Sequence, residues 1–148
     1  MPESSSDIIV KLVEIETELE AVIDIRFRVF VAEQHVPPEE ELDEEDAGAT
    51  HVIALHHGST VGTGRLLARD PAIAVIGRMA VDQSWRRRGV GGLILDFLEE
   101  EARAQGLRRS VLHAQEYVKS FYAAHGYLEH GEPFDEVNIP HIEMRKEL

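Results

Sequence analysis

The chain has 148 residues, no cysteine, and 28 acidic against 15 basic side chains, for a formal net charge of −13. That length suits a single domain over residues 1–148, and the missing cysteines exclude disulfides, thiol nucleophiles and thiolate-bound metals. The acidity argues against a nucleic-acid binder, which needs a basic face for phosphates, and suits a cationic partner. No apolar run is long enough to span a bilayer, and residues 1–7 lack the basic and apolar regions of a secretory signal. The expectation is a cytoplasmic protein with neither a membrane nor a nucleic acid as partner.

In chain order, Ile8, Ile9, Val10, Leu12 and Val13 predict a first strand. Leu19, Val22, Ile23, Phe27 and Phe30 recur at helical spacing and predict a helix over 18–33, stopped by Pro37 and Pro38. The run Glu39, Glu40, Glu41, Asp43, Glu44, Glu45 and Asp46 reads either as a solvated loop or as a loop that draws a cation towards an active site. Residues 51–56 and 60–68 predict a hairpin turning at Gly58-Ser59, and 72–81 a further strand. A helix over 91–105 buries Ile94, Phe97, Leu98 and Ala102, with Glu99 and Arg103 as an exposed i,i+4 pair. Residues 110–114 read as a strand and 116–125 as a short helix ended by Gly126. Two last strands lie over 127–134 and 141–144. The order β-α-β-β-β-α-β-α-β-β describes a three-layer α/β domain whose mixed central sheet, of about six to seven strands, is flanked by helices.

Between the strand at 72–81 and the next helix lies Asp82-Gln-Ser-Trp-Arg-Arg-Arg-Gly-Val-Gly-Gly92. Glycines let backbone N–H groups approach a ligand, and a helix N-terminus adds partial positive charge. With Arg86, Arg87 and Arg88 alongside, this is a socket for a pyrophosphate. No Lys-Ser or Lys-Thr follows the glycines, which excludes a Walker loop. Ile94 stands three positions after Gly91, which excludes the dinucleotide fingerprint.

The remaining pattern, Arg86-x-x-Gly89-x-Gly91 after Met79-Ala80-Val81, resembles the coenzyme A signature of the GNAT superfamily of acyl-CoA-dependent N-acetyltransferases. The segment Phe121-Tyr122-x-x-x-Gly126-Tyr127 resembles a second motif of that superfamily. Arg28-Val-Phe-Val-Ala-Glu-Gln34, Glu41-x-Asp43, His51 and Ile139-Pro-His141 are similar to its ElaA-like subgroup. The resemblance implies a GNAT-type fold and acetyl-CoA as co-substrate, without a metal. It implies that the backbone of Met79, Ala80 and Val81 holds the pantetheine arm and that Arg87 to Gly92, Val90 included, cradle the pyrophosphate. The side chains of Arg86, Arg87 and Arg88 reach towards it, and Tyr122 protonates the departing thiolate. Dimers are common in the superfamily, and nothing in the chain requires one.

The general base is open. Many superfamily members carry a strand glutamate just before the Met79 position, where this chain has Gly77 and Arg78. Glu33 and His113 are candidates, the latter because an imidazole titrates near neutrality. Arg26, Phe30 and Glu33 share a helical face, and with Glu136 and His141 are candidate acceptor-pocket residues. Arg26 and Glu33 also read as surface pairs, and His113 as a structural hydrogen-bonding residue. His56 and His57, adjacent on a strand, point to opposite faces and do not chelate together, so no metal site is expected. The leading function is transfer of acetyl directly to a primary amine of a small molecule, an amine or amino sugar, with no acyl-enzyme. The alternatives are a protein lysine or N-terminal amine as acceptor, or a catalytically silent acyl-CoA-binding module.

Overall fold

A computed structural model describes residues 7–148; the reading of 1–6 as free of a secretory signal lies outside them. Strands β1 (Ile8–Leu12), β2 (Thr50–His56), β3 (Ser59–Arg69), β4 (Ile73–Val81), β5 (Arg109–Gln115), β6 (Leu128–Glu136) and β7 (Ile139–Glu147) form one sheet in the order β1-β2-β3-β4-β5-β7-β6. Every neighbouring pair is antiparallel except β4 and β5. The helices are α1 (Glu16–Arg26), α2 (Pro38–Glu41), α3 (Val90–Ala104) and α4 (Lys119–Ala124). Among the described residues no helix is long and apolar enough to cross a membrane.

The hairpin β2–β3 turns at His57-Gly58, one residue earlier than expected, since His56 pairs with Ser59. Both turn residues have positive φ, which matches the right-handed twist of the flanking strands. The predicted helix over 18–33 is α-helical only to Arg26, and Phe27–Glu33 continues as a π-helix. Such widened turns shift side chains around the axis and recur at functional sites.

Helix α3 buries Ile94, Leu95, Leu98 and Ala102 on one face of the sheet, against Leu66, Ala74, Ile76, Leu112 and Ile142 among others. It lies close because β3 carries Gly62 and Gly64 beneath it. A Cβ at these positions would stand 2.6 Å from Ile94 Cδ1 and 2.7 Å from Leu98 Cδ1, distances that close packing does not accommodate. Glu99 is buried rather than exposed: it accepts from the Tyr127 hydroxyl at 2.9 Å and from Lys146 Nζ at 2.8 Å. The expected Glu99–Arg103 pair is therefore corrected, and Arg103 bonds Glu100 instead.

Two irregularities in β4 shape the centre of the sheet. Thr63 pairs with Ala80 and Arg65 with Gly77, so Gly64 alone faces both Arg78 and Met79, a bulge with Arg78 at φ 50°. The extra residue reverses the strand's faces. Ala74 and Ile76 join the α3 core before it, whereas Ala80 packs with Ile25 and Val29 of the first helical segment after it, and Met79 and Val81 point to the α3 side. The second irregularity is the short β4–β5 ladder, limited to Ile73–Val75 against Arg109–Val111. Beyond it no further ladder pairs join the strands, while β7 holds β5 along its other edge. The sheet therefore forks between residues 76–81 and 112–115.

Candidate active site

The glycine loop leaves the end of β4. After a 3₁₀ turn at Gln83–Trp85, Arg86 is extended, Arg87 has φ 62° and Gly89, at φ 84°, precedes α3 with no side-chain cap. An uncapped helix N-terminus directs its first N–H groups outward, where an anion satisfies them. The side chain of Val90 is buried in the core, leaving its backbone to the loop. Phe121 and His125 of the α4 segment lie over the next two glycines, at 3.4 Å and 3.3 Å from where Cβ atoms of Gly91 and Gly92 would stand.

Arg86 and Arg88 diverge, and Arg87 is exposed. Arg86 donates from Nε to the Val81 carbonyl at 3.0 Å and from Nη2 to Glu33 Oε2 at 2.7 Å. Arg88 lays its guanidinium over the Trp85 ring, 3.9 Å from the centroid. Glu33, at the end of the π-helix, is thus tied to the loop.

On the α3 side of the fork, the Tyr122 hydroxyl donates to Met79 Sδ at 3.6 Å. Its ring meets Phe121 and Tyr127 edge-on, at 5.0 and 5.9 Å between centroids. Burial in these apolar surroundings pushes the hydroxyl up to about 12, so it stays protonated near neutrality.

The opposite face of the fork is polar. Ser110, Leu112 and Ala114 of β5 face the α3 side, so His113 and Gln115 face away. His113 Nδ1 lies 3.0 Å from Glu136 Oε1, and His141 Nε2 lies 3.7 Å from Glu136 Oε2. Phe134 touches both rings. His141 is buried, with Nδ1 donating to the Ile139 carbonyl at 2.6 Å. The hydrogen bond to Glu136 raises His113 above its ordinary value, against the opposing effect of burial, and the same bond lowers Glu136. Gln115 donates to Gln34 Oε1 at 2.8 Å, and Gln34 donates to the Tyr117 hydroxyl at 3.1 Å. This amide bridge joins the end of the π-helix to β5. Gln34 closes the Arg28–Gln34 segment, yet no spacing pairs it with a glutamine 81 positions away.

Within the acidic run, Glu39, Glu40 and Glu44 are exposed, as a solvated loop has them, whereas Glu41, Asp43 and Asp46 turn inward onto arginines. Arg26 is fully buried, donating from Nε to Glu41 Oε2 and from Nη1 to Asp46 Oδ1, both at 2.8 Å. Arg65 bonds Asp43 and Asp46, and Arg78, on the bulge, bonds Asp43 and the Glu41 carbonyl. Burial pushes the Glu41 carboxyl up despite Arg26. Burial also opposes ionisation of Asp46, but the bonds from Arg26 and Arg65 hold it well below the usual carboxylate range. Arg26 is accordingly corrected: its guanidinium is enclosed in this network and does not line an acceptor pocket. Phe30 packs beside Ile25, Val29 and Ala80. An open depression of about 630 Å³ between the end of β1 and His51 shares no residue with the fork.

The histidine reading also needs correction. His57 lies in the hairpin turn at φ 48°, outside β2, and its ring stacks on His56 at 4.0 Å instead of pointing to the opposite face.

Residues 13–148 match the family model described as an acetyltransferase (GNAT) domain. The uncharacterized N-acetyltransferase YjcF of Bacillus subtilis (strain 168) is 37% identical over 133 residues, spanning 89% of this chain and 94% of that protein. The chain belongs to the GNAT acetyltransferase family. Two solved GNAT-fold structures are similar to it. An acyl-CoA N-acyltransferase from Pseudomonas aeruginosa has a TM-score of 0.82 and 29% identity, with 95% of this chain and 98% of that one covered. ElaA of Escherichia coli has a TM-score of 0.84 and 26% identity, with 94% and 99% covered. The chain is thus an acyl-CoA-dependent acyltransferase, and its seven-stranded mixed sheet with flanking helices is the GNAT fold.

Proposed function

We propose that this GNAT enzyme transfers acetyl from acetyl-CoA directly to the primary amine of a small molecule, with both substrates bound together and no acyl-enzyme. The observation that carries the reading is the fork itself. Tyr122 and Met79 face each other on its α3 side, beside the glycine loop, and His113, Gln115 and Glu136 occupy its other face. Acyl donor and acceptor enter such a gap from opposite sides.

The backbone of Arg87 to Gly92 cradles the pyrophosphate, with Arg86 and Arg88 within reach of its charge. The β4 backbone from Met79 to Val81 holds the pantetheine arm, and N–H groups there polarise the thioester carbonyl, the term that usually contributes most to such catalysis. An alkylamine titrates near about 10.4 and must lose a proton before it attacks. His113, oriented by Glu136, takes that proton through water, with Glu33 as the second candidate on the same side. The amine nitrogen then bonds the carbonyl carbon, and as the tetrahedral adduct expels the thiolate the nitrogen gives up its surplus proton to water, leaving the amide. Tyr122 donates a hydrogen bond to that sulfur. A coenzyme thiol titrates near the cysteine range of about 8.5, below Tyr122, so the hydroxyl stabilises the developing thiolate before it surrenders any proton. The transfer needs no metal. Phe30, Glu33, Glu136 and His141 bound the acceptor side, and the net charge of −13 favours a cationic amine.

The test is acetyl-CoA-dependent thiol release against a panel of amines, amino sugars and lysine peptides. Turnover with small amines and none with peptides is expected. Turnover with peptides alone would move the acceptor to protein. Acetyl-CoA binding without any turnover would leave a silent module.

A further inference from the structure

We propose that Asp7, His56 and His57 bind one divalent transition-metal ion at the end of the sheet, independently of acetyl transfer. One ligand atom from each residue lies within 4.8 Å of the others. Two features of the fold bring them together. Ile8 pairs with His56, which sets the preceding Asp7 beside the last residue of β2. The turn conformation of His57 then folds its ring back over His56.

Two imidazoles and a carboxylate are a donor set suited to Zn²⁺, Ni²⁺, Cu²⁺ and Co²⁺. Bonds of about 2.1 Å in a tetrahedral site place donors about 3.4 Å apart, so binding requires the cluster to contract and the stacked rings to tilt. Asp7 and His57 are exposed and supply that movement, whereas His56 is buried, its ring 4.6 Å from that of Trp85. Three protein ligands leave a fourth position for water. An ion there pins the start of β1 to the β2–β3 turn.

Trp85 is the chain's single tryptophan, so its fluorescence reports on this site. Titration with Ni²⁺, followed by displacement with Zn²⁺, is the experiment. Saturable quenching at one equivalent is expected, reversed by Zn²⁺. Asp7→Asn and His57→Ala should each weaken it by about tenfold or more, while His113→Gln, which removes an imidazole at the fork, leaves it unchanged. Zn²⁺ should also raise the melting temperature of the parent and not of His57→Ala. No quenching up to about 1 mM Ni²⁺ would overturn the proposal, as would equal quenching in parent, Asp7→Asn and His57→Ala.

Discussion

The Tyr122 hydroxyl donates to the Met79 sulfur across 3.6 Å, a contact that joins α4 to β4 immediately after the Arg78 bulge. A thioether is a weak acceptor, so in the proposed reaction a thiolate on the α3 side of the fork would replace it. Burial holds the hydroxyl protonated to about 12. Tyr122→Phe should lower kcat by about a hundredfold and leave the Kd for acetyl-CoA within about twofold, since phenylalanine keeps the ring contacts. Equal kcat in both proteins would remove Tyr122 from the reaction.

Glu33 holds Arg86 at 2.7 Å, and under the proposed coenzyme site a phosphate would compete for the same guanidinium. The pair is partly exposed, so the competition amounts to less than about 1 kcal/mol. Glu33→Gln should therefore tighten acetyl-CoA binding by about two- to fivefold at low salt, a gain that shrinks as salt screens the phosphates. Calorimetry at two ionic strengths checks this, and weaker binding in Glu33→Gln would show that the pair organises the loop instead.

Arg26 enters a buried network, so its loss leaves Glu41 charged and enclosed or forces it to protonate. Urea unfolding of Arg26→Ala should show a destabilisation of about 3–5 kcal/mol. Asp46 adds a pH signature. Its carboxyl is depressed in the folded state, so its contribution is complete above the unfolded value of about 3.9 and declines as pH falls below it. Arg26→Ala should flatten the stability profile in that acid range, and an unchanged profile would contradict the assignment.

His113 is raised by Glu136. The protonated ring therefore favours the folded state below about pH 6.5, and the contribution is lost as pH rises through the higher folded value. An NMR titration of the His113 ring should report that raised value and, in Glu136→Gln, a return towards about 6.5. Identical titrations in the two proteins would mean the 3.0 Å contact is absent in solution.

The strands, α3 and the glycine loop were legible because period-two and helical spacing are local signals, and Gly89 marks the turn into α3 by its left-handed backbone. The π-helix at Phe27–Glu33 was not, since one widened turn barely disturbs helical spacing. Nor was the bulge at Arg78, a single-residue change of strand parity with no composition of its own. The exposed part of the acidic run follows its composition, but the inward turn of Glu41, Asp43 and Asp46 was not legible, because their partners Arg26, Arg65 and Arg78 come from three separate elements. Glu99 looked like a surface residue for the same reason: Tyr127, just before β6, and Lys146 of β7 reach it from positions distant in sequence. At the fork, the sequence supplied His113, Glu136 and His141 as separate candidates. Only the β5–β7–β6 register groups them around one carboxylate.

Calorimetric titration with acetyl-CoA, with ATP as the comparison, tests the central assignment most directly. Saturable one-to-one binding of acetyl-CoA, weakened at least about tenfold by Gly89→Val and not matched by ATP, is the expected result. No heat of binding with acetyl-CoA, or equal binding of acetyl-CoA by the parent and Gly89→Val, would contradict the assignment of the glycine loop as the coenzyme site.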